Sequence, residues 1–312
     1  MSAASKNPWQ AEGLDLVRGM SGGLLFGVPL LYTMEVWWTG SLSPSWASLL
    51  ILILLFVPVL VMNKSAGFRS ASDVRWRDAA ADTVEAVALA LLIAACTLVL
   101  IREVTLDLPL GAALGKIFYE AVPFALGIGM ARHLLGGGRS ETEGGDEEDD
   151  ESSGDGGGDG QAGDGESAAS GDEKTGTEGR SKTNPTLADL GATIVGAAFI
   201  ALSIAPTDEV PMISSAVSPP WLVALMAASL LVSYAIVFVA GFAKQEQRHG
   251  TEGLIQGPLT ETVVCYLVAL AVSLALLAAF QRAQLPWPEL LSQSIVLGFP
   301  AAVGGAAGRL AV

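Results

Sequence analysis

Apolar runs of about twenty residues recur along the whole chain, with most of the charge squeezed into the gaps between them. This pattern constrains the fold more than any other feature. A bilayer core of roughly 30 Å needs about 20 helical residues at 1.5 Å each, so such runs read as membrane-spanning helices. A soluble helix would show shorter apolar stretches with one polar face. The expected fold class is all-α transmembrane. Eight spans are marked at 16–38, 46–63, 79–101, 110–133, 187–206, 220–242, 259–281 and 289–310. No basic segment followed by a short apolar run and a cleavage site precedes them, so the first span is expected to target the chain itself.

The net charge of −15 is concentrated in one place. From Arg139 to Lys182 there are 15 Asp/Glu against 4 Lys/Arg, a balance of −11, which leaves −4 for everything else. That segment is rich in Gly, Ser, Asp and Glu and has no aromatic residue. It holds too little apolar surface to fold, and residues 139–184 read as a disordered acidic cytoplasmic linker. The linker separates 1–138, with four spans, from 185–312, with four more.

The two halves match. Shifted by 177 residues, LPLGAALGKIFYEAVPFALGIGMAR (108–132) falls on LPWPELLSQSIVLGFPAAVGGAAGR (285–309) without a gap. Pro109, Pro123, Gly127 and Arg132 meet Pro286, Pro300, Gly304 and Arg309. At a shift of 174, TMEV (33–36) meets TDEV (207–210), Gly22 meets Gly196 and Asp15 meets Asp189. SPSW (43–46) meets SPPW (218–221), and DTVE (82–85) meets ETVV (261–264). Four spans matching in order make a tandem repeat. Each copy has an even number of spans, so the expected architecture is two parallel four-helix repeats.

Loop charge gives the orientation. With the N-terminus in the cytoplasm, 14 Lys/Arg fall inside and only Arg102 and Arg282 fall outside, with Lys116 within a span. This is the positive-inside pattern, and it predicts a multi-pass cell-membrane protein with both termini cytoplasmic. Trp37, Trp38, Trp46, Trp221 and Trp287 fall at the outer span ends, where an aromatic belt is expected. Cys96 and Cys265 lie at different depths and are expected to be free thiols.

Lys116 and Glu120 stand out because charge at membrane depth is costly. Their i, i+4 spacing lets them meet on one helix face. Lys116 can reach toward the outer surface. Glu120, near the midplane, must pair with Lys116, carry a proton or face a wet cavity. The second copy has Gln293 and Leu297 at these positions.

Glu35 and Glu209 are repeat-equivalent and are candidates for an outer vestibule, or else plain interfacial carboxylates. Asp82, Glu85 and Glu261 start inner helix ends, where acids favour the helix dipole. Gly19, Gly23 and Gly27, and likewise Gly304 and Gly308, are spaced by four and suit close helix packing. Pro29, Pro58, Pro123 and Pro300 lie inside spans and each removes a backbone donor.

No phosphate-binding loop, Cys/His cluster or Ser–His–Asp arrangement occurs, so no cofactor, metal or enzymatic activity is expected. Nothing points to nucleic acid. The expected partners are the lipid bilayer, an inorganic ion or small solute and, with no sequence feature against it, a second copy in a homo-oligomer. The leading reading is passage of an ion or small solute. The alternative is a non-transporting membrane scaffold or partner subunit.

The run DLVRGMSGGLLFGVPLLYTMEVWW (15–38) and the repeated architecture resemble an uncharacterised family of prokaryotic integral membrane proteins from haloarchaea and cyanobacteria. The resemblance implies no established activity. A weaker resemblance is to the small potassium-channel family whose first helix carries Arg followed by Phe-Ser-Asp. Arg18 and Ser21 match that spacing, whereas Met20 and Gly22 replace the Phe and the Asp. That family builds on six-span repeats.

Overall fold

The computed structural model describes residues 8–66, 76–135, 185–240 and 257–311. The segment 139–184, read from sequence as an acidic linker, lies outside them. Among the described residues all regular structure is helical. In chain order the helices are α1 (Pro8–Leu31), α2 (Met34–Leu42), α3 (Ser45–Ala66), α4 (Trp76–Leu100) and α5 (Leu110–Leu135). Then come α6 (Pro185–Ile204), α7 (Glu209–Ala216), α8 (Pro219–Tyr234), α9 (Pro258–Ala279) and α10 (Trp287–Ala311). A π-helical turn, Ala235–Val239, continues α8. Among the described residues seven helices are each long and apolar enough to cross a membrane, and α6 with α7, bent by 91°, makes an eighth if the pair is one span.

The first span departs from its expected bounds of 16–38. It starts at Pro8 and stops at Leu31, and α2 is a separate helix. The reason is local. Thr33 is extended (φ −101°, ψ 91°) and its N–H bonds back to the Leu30 carbonyl at 2.8 Å. The Leu31 carbonyl, which a continuing helix would have used, accepts from the indole nitrogen of Trp37 at 3.1 Å. Trp37 is therefore buried against the bundle. Trp38, Trp46 and Trp287 are exposed.

Glycine sets the closest helix approaches. A Cβ on Gly22 would strike the Gly127 carbonyl at 2.7 Å, and one on Gly127 would meet the Gly22 carbonyl at 2.5 Å. Gly196 of α6 and Gly304 of α10 face each other in the same reciprocal way. Gly27 lies against the Phe124 ring, Gly23 against Ile128, and Gly308 against the Ala192 carbonyl. Gly19 is buried on the same helix. Thus α1 is clamped on α5 and α6 on α10, backbone to backbone, which favours dispersion contacts where lipid offers no hydrophobic drive.

Proline is tolerated within α1, α3, α5 and α10. In α10 the donor that Pro300 lacks is replaced from the other half of the chain. The carbonyl four residues earlier, on Val296, accepts from the Tyr32 hydroxyl at 2.6 Å. Two further side chains tie the halves. Arg18 donates through Nε to the Ala240 carbonyl at 3.2 Å, and Trp221 donates to the Leu100 carbonyl at 2.6 Å. Neither cysteine forms a disulfide; Cys96 is exposed, and Cys265 is buried and accepts from the Thr193 hydroxyl at 3.5 Å.

Candidate functional site

The α1–α2, α4–α5, α6–α7 and α9–α10 connections gather at one end of the bundle, and α5 enters from there. Its face toward α1 carries Lys116, Glu120, Phe124 and Gly127 at successive turns. Phe124 lies against Gly27 of α1. One turn beyond Glu120, the Lys116 ammonium lies 4.6 Å from the centre of the Trp37 ring of α2. Glu120 thus sits at the level of the break between α1 and α2.

Lys116 does not pair with Glu120. Its ammonium donates to Glu103 Oε2 at 2.8 Å and to the Glu103 carbonyl at 3.0 Å. The α4–α5 connection brings Glu103 there. Arg102 takes a left-handed conformation (φ 68°), and the Glu103 N–H then bonds to the Leu98 carbonyl at 2.9 Å. This is the closing turn that ends many helices, although glycine usually occupies the left-handed position. It folds the Glu103 side chain over the top of α5. The ammonium is satisfied by a carboxylate, a carbonyl and an aromatic face, a good solution for a buried cation.

Glu120 is fully buried, and neither carboxyl oxygen has a hydrogen-bond partner among the described residues. An ionised carboxylate without partners in an apolar interior is very costly. The site is suited to holding a proton or a cation on Glu120. Above it, the Lys116–Glu103 pair forms part of an open cleft of about 370 Å³, lined also by Met34, Trp37 and Met212. Met212 is on α7, so the second half of the chain contributes to the cleft wall.

The other sequence candidates lie apart from this cleft. Glu35 is exposed in the first turn of α2, while Glu209 is buried in the first turn of α7. Neither lines the cleft. Asp82 is buried and Glu85 half-buried on α4. Glu261 forms an ion pair with the buried Arg309 of α10. Among the described residues no cluster of three or more His, Cys, Asp or Glu could hold a metal ion. Glu103 is the site residue that spacing alone missed. Its only signal was its place in the short α4–α5 connection, which also holds Asp107, on the same side as Lys116.

The fold and its seven or eight long apolar helices define a polytopic integral membrane protein. The chain matches the integral membrane protein family DUF2391 over residues 15–312 and belongs to it. Neither the curated proteins nor the solved structures compared with it contain a match.

Proposed function

We propose that the protein passes an ion or small solute across the cell membrane, with Glu120 as the carboxyl that the permeating species, or a coupled proton, must meet. One observation carries this reading: a fully buried carboxyl without partners, one helical turn (about 6 Å) beneath the floor of an open cleft. Intramembrane acids that satisfy no structural need are characteristic of ion and proton pathways. The break between α1 and α2 at the same level also fits, because transport sites favour discontinuous helices.

Two architectural readings accompany it. The first is the parallel four-span repeat. It is supported by matched packing: α5 packs on α1, α3 and α4, and α10 packs on α6, α8 and α9. Two of the reciprocal glycine contacts fall at the matched positions Gly22/Gly196 and Gly127/Gly304, while a third, Gly40 with Gly115, is made in the first half alone. The helix-closing turns at Arg102 and Gln281, both left-handed, are 179 residues apart, the same shift that aligns DTVE with ETVV. The second is the orientation. Loop charge supports cytoplasmic termini, and the cleft would then open outward.

The test is ion flux into liposomes holding the intact protein, compared with Glu120→Gln and with Glu35→Gln. Flux that falls with Glu120→Gln alone supports the reading. Absence of flux for any common ion or small solute favours a non-transporting scaffold or partner subunit.

A further inference from the structure

The two halves meet through different faces. Helix α1 of the first half packs on the π-helical turn and on α10 of the second, and α4 packs on α8. At one end, the Trp221 indole of α8 donates to the Leu100 carbonyl that α4 leaves open, and Arg102 stacks on the Trp221 ring. A two-fold arrangement of repeats would use each of these contacts twice. The second use would join Trp46, the match of Trp221, to Ala279, the match of Leu100.

The matched faces are instead bare. Trp46 is 68% exposed, and Leu50, one turn on, is exposed where its match Leu225 is buried. On α1, which packs on the other half, Ser21 (1%) and Val28 (0%) are buried, while their matches on α6, Val195 (69%) and Leu202 (52%), are open. Phe280 of the α9 end is exposed, whereas its match Ile101 is buried. An interface that joins unlike faces leaves one unused copy of each face at its two ends, and it closes only by adding further units in a ring.

We propose that a second copy of this chain completes the ring: the bare α6–α9 face of one copy receives the α3 face, with Trp46, of the other, twice over, in a two-fold dimer of four repeats. This rests on the tandem-repeat reading above. The new contact reproduces the one within the chain, with the Trp46 indole on the Ala279 carbonyl and Gln281 in the place of Arg102.

The mass of the purified full-length protein in detergent and in lipid nanodiscs tests this directly, and two copies per particle are expected. Cysteine pairs then locate the contact in a background where Cys96 and Cys265 are replaced by alanine. Leu100→Cys with Trp221→Cys should join within one chain under a short thiol cross-linker. Trp46→Cys with Ala279→Cys should join two chains and run as a dimer. A monomeric particle overturns the proposal, as does a dimer in which the 46/279 pair fails while the 100/221 pair succeeds. Failure of both pairs would remove the packing between halves that the new contact copies, and would overturn the proposal as well. Flux through a monomer would leave the transport reading standing without the dimer.

Discussion

The Lys116 ammonium reaches out of its own helix to the carboxylate of Glu103 at 2.8 Å, thirteen residues earlier, and leaves Glu120 without it. Both side chains of the pair are largely buried, so neither charge is left to water. Removing one partner of such a pair strands the other, which typically costs about 3–5 kcal/mol, whereas removing both can be close to neutral. Lys116→Met and Glu103→Gln should each lower the thermal unfolding midpoint in detergent. The double variant should recover most of the loss. Additive losses would contradict the pairing.

The Tyr32–Val296 bond gives a sharper test, because its origin is a missing donor. Tyr32→Phe leaves the Val296 carbonyl buried and unpaired, at a cost of about 1–3 kcal/mol. Pro300→Ala restores an N–H that can bond to that carbonyl within the helix. The penalty of Tyr32→Phe should therefore shrink in the Pro300→Ala background, as read by denaturant or thermal unfolding of the four variants. An equal penalty in both backgrounds would show that the hydroxyl does not stand in for the proline.

Glycine contacts separate two positions five residues apart on α6. A methyl group at Gly196 has nowhere to go, because the atoms in its way are the backbone of Gly304 and Gly308. At Gly191 nothing lies within 4 Å. Gly196→Ala should cost on the order of 2 kcal/mol or more from overpacking, while Gly191→Ala should be neutral or gain up to about 1 kcal/mol from helix propensity. Thermal midpoints and the yield of monodisperse protein measure the contrast. Equal behaviour at the two sites would contradict the close approach of α6 to α10.

These residues also mark what the sequence could and could not convey. Span positions were readable because bilayer thickness imposes a length that composition records directly. The seven spans after the first fall within a few residues of the helices observed, apart from the π-helical end of α8. The end of α1 was not readable. The run across Leu31, Tyr32 and Thr33 carries no charge, glycine or proline to mark a stop, and the break coincides with Trp37 folding back onto the Leu31 carbonyl. The partner of Lys116 was missed for a similar reason. Helical spacing offers Glu120, but the left-handed turn at Arg102 is a property of the connection and places Glu103 nearer. Glycine spacing announced close packing. It could not say that Gly22 with Gly127, and not Gly19, makes the reciprocal backbone contact between α1 and α5. Glu120 itself was legible as an anomaly, since a lone acid at mid-span is rare whatever surrounds it.

Flux through liposomes decides the central claim. Intact protein and Glu120→Gln, matched for folded content by their thermal midpoints, are reconstituted and assayed with protons, sodium, potassium and chloride in turn. The account predicts flux of at least one of these through the intact protein. Glu120→Gln should reduce that flux about tenfold or more, equivalent to roughly 1.4 kcal/mol, with no loss of fold. Flux unchanged by the substitution would contradict the role of Glu120, and no flux of any ion or small solute through the intact protein would contradict transport itself.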